Sequence, residues 1–580
     1  MKIQFLTRIN LLLYGVCLTA MVLSAPVKAG VVEPALQQAM QDGEEISFIV
    51  HFHKHVDLTA FPGRGKGKGI ERASLLWELR KQADSSQAGA LELLKGRGAK
   101  RLIQLWSINS LAATADPEVI KELASLPGVG NVVLDNTLAA PSPEPSATAT
   151  PEWNLDMIRA PEFWNTYDVD GTGTVVASMD TGVDWQHLDL ADSYRGGSNS
   201  WFDPNGEHST PYDKAGSGYS GHGTQVTSLM VGGDASGTSI GVAPGAQWIA
   251  VKIFNDAGLA SLSAIHHGFQ WLLDPDGNPA TDDQPDVVNN SWGFPTLVGQ
   301  CYTEFESDIQ VLQAAGIPVV FSAGNQGTVG SVSPADNTSS FAVGAVDESE
   351  FVADFSSRGP SACDGTIFPQ IVAPGVNVKA ADLTAGGVFL LSYKNVSGTS
   401  FAAPHVSATM ALLRKAFPAA TVEQLEQALM DSVFHPYLDG PDNTYGYGVL
   451  DAVVANDMLT NPTWPTCTDS DSDGFFAEAG CGSELDCNDS DAGINPAACD
   501  IKGDGVDQDC DGVDRTKGKS CPVSDGGDTG TSDPDTGSSD PISSPEGKGD
   551  TCSDGIDNDN DGDIDCQDSG CSKNKSCKTR

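Results

Sequence analysis

Hydrophobic and polar positions divide the chain into regions with different periodicities. Between residues 30 and 140, apolar runs typical of strands alternate with stretches of helical period. The predicted strands are 46–50, 102–106, 110–114 and 131–134, and the predicted helices are 71–94 and 117–126. This order indicates a small α/β domain.

From residue 153 to 463, short apolar strands alternate with amphipathic helices, a pattern typical of a parallel sheet with helices on both faces. The predicted strands are 174–179, 248–254, 287–290, 318–322, 341–346 and 370–373. The predicted helices are 262–273, 304–315, 401–417 and 422–431. The fold class is therefore α/β.

The remaining segments have too few large apolar residues for a sizeable core. Repeated prolines make 141–152 an exposed linker that a peptidase could cut. A small Cys- and Asp-rich module is expected at 464–521, and a second one at 551–580. A disordered linker rich in Gly, Ser, Asp and Pro is expected between them, at 522–550.

The first 29 residues have the pattern of an export signal, with Lys2 and Arg8, an apolar run over 9–25, and small residues at Val27 and Ala29. The apolar run is short for a bilayer span, so we expect a secreted or surface-associated bacterial protein without stable membrane insertion.

Cysteine usage fits export. Removing Cys17 with the signal leaves twelve of the thirteen cysteines, an even number, which predicts disulfides. They form three even groups, within which the connectivity stays open: Cys301 and Cys363; Cys467, Cys481, Cys487, Cys499, Cys510 and Cys521; and Cys552, Cys566, Cys571 and Cys577.

A formal net charge of -45 at pH 7 excludes the basic surface typical of nucleic-acid binding and disfavours anionic membranes. Cations are the expected partners, and the alternative is that the acidity serves solubility. Region 30–140 is nearly balanced in charge while the next region is strongly acidic, so we expect the two to attract each other.

Three segments carry candidate chemistry: Asp180-Thr181-Gly182 after a strand, His222-Gly223-Thr224 at a helix start, and Gly398-Thr399-Ser400 before a helix. A serine hydroxyl needs a histidine to take its proton and a carboxylate to orient and stabilise the imidazole. Ser400, His222 and Asp180 are therefore the predicted catalytic triad. Asn325, after a buried strand, and the backbone N–H of Ser400 are the predicted oxyanion donors.

These residues carry a family resemblance. The chain resembles the subtilase family of serine peptidases, whose signatures recur here as Asp-Thr-Gly, His-Gly-Thr and Gly-Thr-Ser-x-Ala-x-Pro in the order Asp, His, Ser. Within the family it is most similar to bacillopeptidase F-like members. The resemblance implies a secreted serine endopeptidase that cleaves polypeptides through an acyl-enzyme on Ser400, and it implies that catalysis needs no cofactor.

The resemblance also assigns roles to other segments. Region 30–140 would be an inhibitory pro-domain, removed autocatalytically, so that the chain is its own inhibitor before maturation. Extended substrate would pair with two strands, one formed by Ser291, Trp292 and Gly293 and the other containing Leu259 and Ala260. Asp189 matches a calcium-ligand aspartate of the family, although the companion loop before Gly241 looks shortened. We expect a monomer.

The acidic tail contains a repeat, because the pattern of 504–512 recurs at 554–562. Alternating carboxylates around a glycine turn suit hard cations such as calcium. The predicted structural calcium ligands are Asp504, Asp507, Asp509, Asp511, Asp554, Asp557, Asp559 and Asp561. Such segments resemble metal-binding Asp/Cys-rich repeats of bacterial secreted proteins. The alternative is a disulfide-stapled acidic spacer.

The sequence contains features of two other classes of function. The Asp-Thr-Gly copies at 528–530 and 535–537 mimic aspartic peptidases, but they lie in the low-complexity linker rather than between packed strands, which excludes that function. A different class of function remains open at this stage: a calcium-dependent surface or matrix-binding protein whose subtilase domain is secondary or inactive.

Overall fold

The computed structural model describes residues 30–61, 69–141, 152–216, 221–434 and 440–461, together with individual residues between 486 and 510. In residues 30–141, the strands are β1 (Val31–Val32), β2 (Ile46–Phe52), β3 (Lys100–Leu105), β4 (Ser110–Ala115), β5 (Val129–Leu134) and β6 (Thr137–Ala139). The helices there are α1 (Pro34–Ala39), α2 (Gly69–Gly96) and α3 (Pro117–Ala124).

Residues 152–461 form the larger part of the described chain. The strands are β7 (Val175–Asp180), β8 (Trp201–Phe202), β9 (Gln247–Lys252), β10 (Leu259–Ser261), β11 (Val287–Asn290), β12 (Val319–Ser322), β13 (Phe341–Val346), β14 (Ile371–Pro374), β15 (Val378–Ala381) and β16 (Tyr393–Val396). The helices are α4 (Trp153–Met157), α5 (Ala160–Tyr167), α6 (Leu188–Ala191), α7 (His222–Val231), α8 (Leu262–Leu273), α9 (Glu306–Ala314), α10 (Thr399–Ala416), α11 (Val422–Ser432) and α12 (Ala452–Thr460).

Residues 30–140, for which the sequence predicts a pro-domain and which we call the pro-region after that prediction, have a sheet of order β1-β5-β2-β4-β3 within the described residues. Strand β2 lies in the middle and pairs antiparallel with β4 and β5. Side chains alternate across a strand, so Phe48 and Val50 pack in one cluster with Ile120 of α3. Ile49 points the other way, into a cluster that includes Leu272 of α8.

The central sheet has the order β14-β13-β12-β11-β7-β9-β8 over the described strands, and each neighbouring pair is parallel. Alternation decides which face each residue covers. Ala177 and Met179 pack on the side of α8 and α9, whereas Val176 packs on the side of α10. Helices therefore cover both faces, and the predicted fold class is confirmed.

Each predicted strand and helix has a counterpart, but several ends differ. Trp106 was predicted within a strand and lies in the turn after β3. Helix α10 begins two residues earlier than predicted, at Thr399, so Ser400 lies inside its first turn. The hairpin β15–β16 and helix α12 were not predicted at all.

Two of the predicted cysteine groups contain a bonded pair. Cys301 is bonded to Cys363, across 62 residues of sequence. Cys487 is bonded to Cys510 within the Cys- and Asp-rich segment. The other cysteines of the tail lie outside the described residues.

Candidate active site

The predicted catalytic residues sit where three elements begin or end. Asp180 is the last residue of β7, His222 is the first residue of α7, and Ser400 is the second residue of α10. All three are almost fully buried. Parallel strands direct their carboxyl ends to one edge of the sheet, which is where functional groups of such folds converge.

The histidine and the aspartate are directly paired. His222 Nδ1 donates to Asp180 Oδ1 over 2.8 Å, and the same oxygen accepts the backbone N–H of Thr181 at 2.6 Å. The Nε2 atom of His222 is buried and has no hydrogen-bond partner among the described residues. This pairing leaves Nε2 as the nitrogen that can accept a proton.

The serine hydroxyl does not contact this nitrogen. Ser400 Oγ instead donates to the carbonyl oxygen of Ser291 over 3.2 Å, while Ser291 Oγ donates to the carbonyl oxygen of Ser400 over 2.7 Å. Catalytic hydrogen bonds are often absent or long before substrate binds. A rotation about χ1 of Ser400 is the change needed to move its hydroxyl to another acceptor.

Asn325 is held in a fixed orientation by the residue that precedes Ser400. Its Oδ1 accepts the backbone N–H of Thr399 at 3.0 Å and the Thr399 hydroxyl at 2.8 Å. The amide nitrogen Nδ2 is therefore the atom that faces Gly398, where a Cβ would lie 3.4 Å from it. Gly398 also has φ 146, a backbone conformation that favours glycine.

Asp213 is a buried acid that the sequence reasoning missed. Its Oδ1 accepts the Thr181 hydroxyl at 2.8 Å and the N–H of Gly221 at 3.1 Å, and its Oδ2 accepts the N–H of Thr224 at 2.8 Å. Burial raises the pKa of Asp213, and these hydrogen bonds oppose that rise. Asp213 thus ties the start of α7, and with it His222, to the end of β7.

Of the two segments predicted to pair with substrate, one is a strand in the structure and the other is not. Leu259 and Ala260 lie in β10, as expected. Ser291, Trp292 and Gly293 follow β11 but lie outside any assigned strand. The Trp292 side chain is 2% exposed and packs edge-on against Phe305 and Phe321, so only its main chain can face a substrate.

Strand β10 is already paired, and its partner is a segment of the pro-region. Strand β6 pairs antiparallel with it, in the register Leu259 to Ala139, Ala260 to Leu138 and Ser261 to Thr137. The pairing continues where Ala140 N–H donates to Gly258 O over 2.8 Å. The end of the pro-region therefore lies as an extended chain on a predicted substrate strand.

Comparison with known proteins decides the family. Residues 171–448 match the model of the subtilase family. The chain is 32% identical to subtilisin E of Bacillus subtilis over 374 residues, which cover 64% of this chain and 86% of that protein. The chain belongs to the subtilase family. Residues 152–461, here called the catalytic region, contain the matched segment and have the fold of a subtilisin-like serine endopeptidase.

Other subtilases extend this comparison. Bacillopeptidase F of Bacillus subtilis is 37% identical over 484 residues, covering 74% of this chain and 32% of its own length. This chain thus spans about a third of that relative. Fervidolysin from Fervidobacterium pennivorans, described as a keratinolytic enzyme related to subtilisin, superposes with a TM-score of 0.53 at 22% identity, covering 77% of this chain and 66% of the other. That likeness supports the fold.

This subtilase uses Asp189 for hydrogen bonds within the protein. Asp189 Oδ1 accepts the N–H of Ala235 at 2.7 Å, and Oδ2 accepts the Tyr393 hydroxyl at 2.6 Å. Burial, together with this hydrogen bond, raises the pKa of Tyr393. Both carboxylate oxygens thus already accept protein hydrogen bonds, and a calcium site at Asp189 stays a prediction.

Of the predicted calcium ligands in the tail, only Asp507 lies within the described residues. Asp504, Asp509, Asp511, Asp554, Asp557, Asp559 and Asp561 lie outside them. The main-chain oxygen of Asp507 lies 3.8 Å from Cys487 Sγ, next to the Cys487–Cys510 bond. Within the part of the chain that the structure describes, no helix has the length and hydropathy to cross a bilayer.

Proposed function

We propose that this chain is the precursor of a secreted serine endopeptidase that hydrolyses peptide bonds in proteins through an acyl-enzyme on Ser400. The single observation that carries the proposal is the Asp180–His222 hydrogen bond, which leaves His222 Nε2 without a partner among the described residues. Ser400 is the second residue of α10, and the ring of the next residue, Phe401, lies 5.5 Å from the His222 ring between centroids. Family membership supports the same residues.

In the proposed reaction, Ser400 turns from the Ser291 carbonyl to His222. His222 Nε2 takes the hydroxyl proton as Oγ forms a bond to the substrate carbonyl carbon. Asp180 stabilises the imidazolium through its bond to Nδ1. His222 then gives the proton to the leaving amine nitrogen as the peptide C–N bond breaks, and water later releases the acyl group by the same route.

The carbonyl oxygen becomes negatively charged in the tetrahedral intermediate. Asn325 Nδ2 is one proposed donor to it, since Thr399 occupies the other end of that amide. The backbone N–H of Ser400 is the second, because the first N–H groups of a helix have no partner within the helix and favour negative charge. The hydrogen bonds from Thr399 hold the Asn325 amide before the reaction begins, which supports this proposal because preorganised donors stabilise an oxyanion most effectively.

We also propose that the pro-region inhibits the enzyme until the linker after it is cut. The support is the pairing of β6 with β10, where main-chain hydrogen bonds of the kind that bind substrate are used by residues 137–140. The maturation bond is proposed to lie C-terminal to Ala140, in the 141–152 linker. Export through the N-terminal signal and calcium binding by the acidic repeats complete the proposal.

The test is hydrolysis of casein by the purified protein. The account expects activity that is abolished by Ser400→Ala and by a serine-directed phosphonylating reagent. Mass spectrometry of the secreted protein should show an N-terminus within 141–153 for the parent and an intact pro-region for Ser400→Ala. Activity that survives Ser400→Ala would reject the assignment. A parent without activity would favour the binding-protein alternative.

A further inference from the structure

The loop of residues 274–283, here called the acidic loop, connects α8 towards β11. One carboxylate oxygen from each of Asp274, Asp276 and Asp283 lies within 4.8 Å of the other two. Calcium binds oxygens at about 2.3–2.6 Å, so ligands on opposite sides of one ion are about 4.6–5.2 Å apart. The spacing of the three acids therefore suits oxygens that share a single calcium ion.

Two of these acids have buried oxygens that lack a donor. Asp274 is 5% exposed, and its Oδ1 has no hydrogen-bond partner among the described residues. Within the same described part of the chain, Asp283 Oδ1 is also buried without a partner. Buried carboxylate oxygens are normally met by a donor or a metal, because their desolvation is otherwise uncompensated. A cation between these two oxygens would supply the positive partner that each of them lacks.

The guanidinium of Arg195 does not meet this need. Arg195 donates to Ser200 Oγ at 2.9 Å, to the main-chain oxygen of Asp283 at 2.6 Å, and to the main-chain oxygen of Asn199. All three acceptors are neutral. Burial raises the pKa of Asp283, and the charges of Asp276 and Asp274 raise it further, against a hydrogen bond from Asn199 and the charge of Arg195. The acids of the loop thus repel one another.

A second acidic group provides a contrast. Glu207, His208 and Asp256 also bring their ligand atoms within 4.8 Å of one another. There, however, Asp256 is paired with Lys214 at 3.1 Å and lies 3.7 Å from Lys252. Asp256 is already met by two lysines, whereas in the acidic loop only Asp274 has an ion pair among the described residues, so the acidic loop is the stronger metal site.

The pro-region covers the acidic loop from one side. Arg80 of α2 forms an ion pair with Asp274 Oδ2. The other oxygen of this carboxylate, Oδ1, is the one without a partner among the described residues. Arg72, in the same helix, donates to the main-chain oxygen of Leu273 at 2.8 Å and to that of Thr281. A cation of the pro-region therefore already sits on one of the three acids in the precursor.

We propose that Asp274, Asp276 and Asp283 form a calcium site, and that Arg80 competes with the ion until the pro-region leaves. The competition rests on the proposed release of the pro-region, whereas the site itself does not. Linkage requires the effect to be reciprocal, so calcium bound at the acidic loop weakens the hold of the pro-region. The ion also joins the end of α8 to the chain that leads into β11 and Ser291.

The experiment is calcium titration calorimetry on the full-length Ser400→Ala precursor. This protein cannot process itself, so the binding result does not depend on whether the peptidase assignment is correct. Asp276→Asn and Asp283→Asn should each bind one calcium ion fewer per chain than their parent. Asp282→Asn, in the same loop but outside the group, is the matched control and should bind as many as the parent. Any sites in the tail are common to all four proteins.

A second variant tests the competition. Arg80→Gln in the same precursor should raise the calcium affinity of this site by about 5-fold or more, a usual size for coupling between two ligands. Calcium should also raise the melting temperature of the parent more than that of either Asp→Asn variant. Equal calcium stoichiometry in the parent and both Asp→Asn variants would overturn the site. An unchanged affinity in Arg80→Gln would overturn the competition.

Discussion

At the scale of single residues, neighbours decide what each candidate group can do. Thr399 binds Asn325 Oδ1 and so leaves the amide nitrogen Nδ2 to face Gly398. Asp180 does the same for His222 through Nδ1. In both cases a hydrogen bond made on one side of a side chain leaves a defined atom available on the other.

Asn325→Leu tests the first of these arrangements. The variant keeps a side chain of similar size but has no N–H to donate to the oxyanion. We expect kcat to fall by about 10²–10³, as for other enzymes that lose one such donor, with little change in KM. Steady-state kinetics on a peptide substrate measure this. A KM effect with an unchanged kcat would instead assign Asn325 to substrate binding.

Asp213→Asn tests a positioning residue. An amide in its place cannot accept all the hydrogen bonds from Gly221, Thr224 and Thr181. Each buried donor left unpaired costs about 1–3 kcal/mol. We expect lower stability, a fall in kcat that exceeds any change in KM, and a shifted pH profile of kcat/KM. A variant that loses stability but keeps both kcat and the pH profile would limit Asp213 to a structural role.

The sequence predicted the residues with chemical motifs and missed those that act through packing. Short motifs contain Asp180, His222 and Ser400, so these residues could be predicted as a triad from the sequence. Asp213 stands in no motif, and only the fold brings its carboxylate to three backbone and hydroxyl donors. The burial of the Trp292 side chain could not be predicted either. A tryptophan whose side chain packs in the core and one whose side chain faces a substrate are the same letter in the sequence.

At the scale of elements, helices α8 and α9 are joined by a buried charge cluster. His266 Nδ1 donates to Asp308 at 2.7 Å, and its Nε2 donates to Glu304 at 3.1 Å. Burial alone would lower the pKa of His266, but the two carboxylates outweigh it and raise the pKa to about 10. The imidazolium is therefore the folded form at neutral pH.

His266→Gln should weaken the dependence of the free energy of unfolding on pH above neutrality. The pKa of His266 is higher in the folded than in the unfolded protein, so protonated His266 stabilises the fold fully below a pH of about 6.5. This stabilisation is lost as the pH rises towards about 10. In the Ser400→Ala protein, the free energy of unfolding in urea should fall between pH 7 and 10, and less so in His266→Gln. His267→Gln is the control, since burial lowers the pKa of His267 and keeps it neutral over this range. Equal slopes in all three would contradict the account.

Elements with a strong local pattern were predictable, and elements defined by pairing were not. Strand β13 is a continuous apolar run, Phe341–Val346, buried throughout, and its bounds were read correctly. The hairpin β15–β16 alternates weakly, and its register depends on pairs such as Val378 with Val396, which only the folded chain brings together. Strand β6 is short and is defined by its partner β10.

At the scale of the whole molecule, the pro-region and the catalytic region share a hydrophobic cluster and several polar contacts. Ile49 and Leu138 of the pro-region pack in one cluster with Phe269 of α8. Arg101 bonds Asp135 Oδ2 at 2.9 Å and also reaches Ser261 Oγ at 2.8 Å and Ser263 Oγ at 2.7 Å. The ion pair of Arg80 with Asp274 adds a contact between opposite charges of the two regions.

Arg101→Ala in the active precursor should shorten the time before activity appears. The change removes two hydrogen bonds to the catalytic region and leaves the buried Asp135 without its cation. We expect release of latent activity about 5-fold sooner, since breaking such a contact costs about 1–3 kcal/mol. Arg97→Ala is the control, because Arg97 pairs with Glu122 inside the pro-region. No difference between the two variants would argue against inhibition by this contact.

The central claim is that Ser400 becomes a nucleophile because His222, oriented by Asp180, takes its proton. Its most direct test is peptide mass spectrometry of the mature enzyme after treatment with a phosphonylating reagent. We predict one adduct, on Ser400, whose rate of formation falls strongly in His222→Ala that has been matured by added active enzyme. An inhibited enzyme that carries its adduct on another residue, or an unchanged rate in His222→Ala, would contradict it.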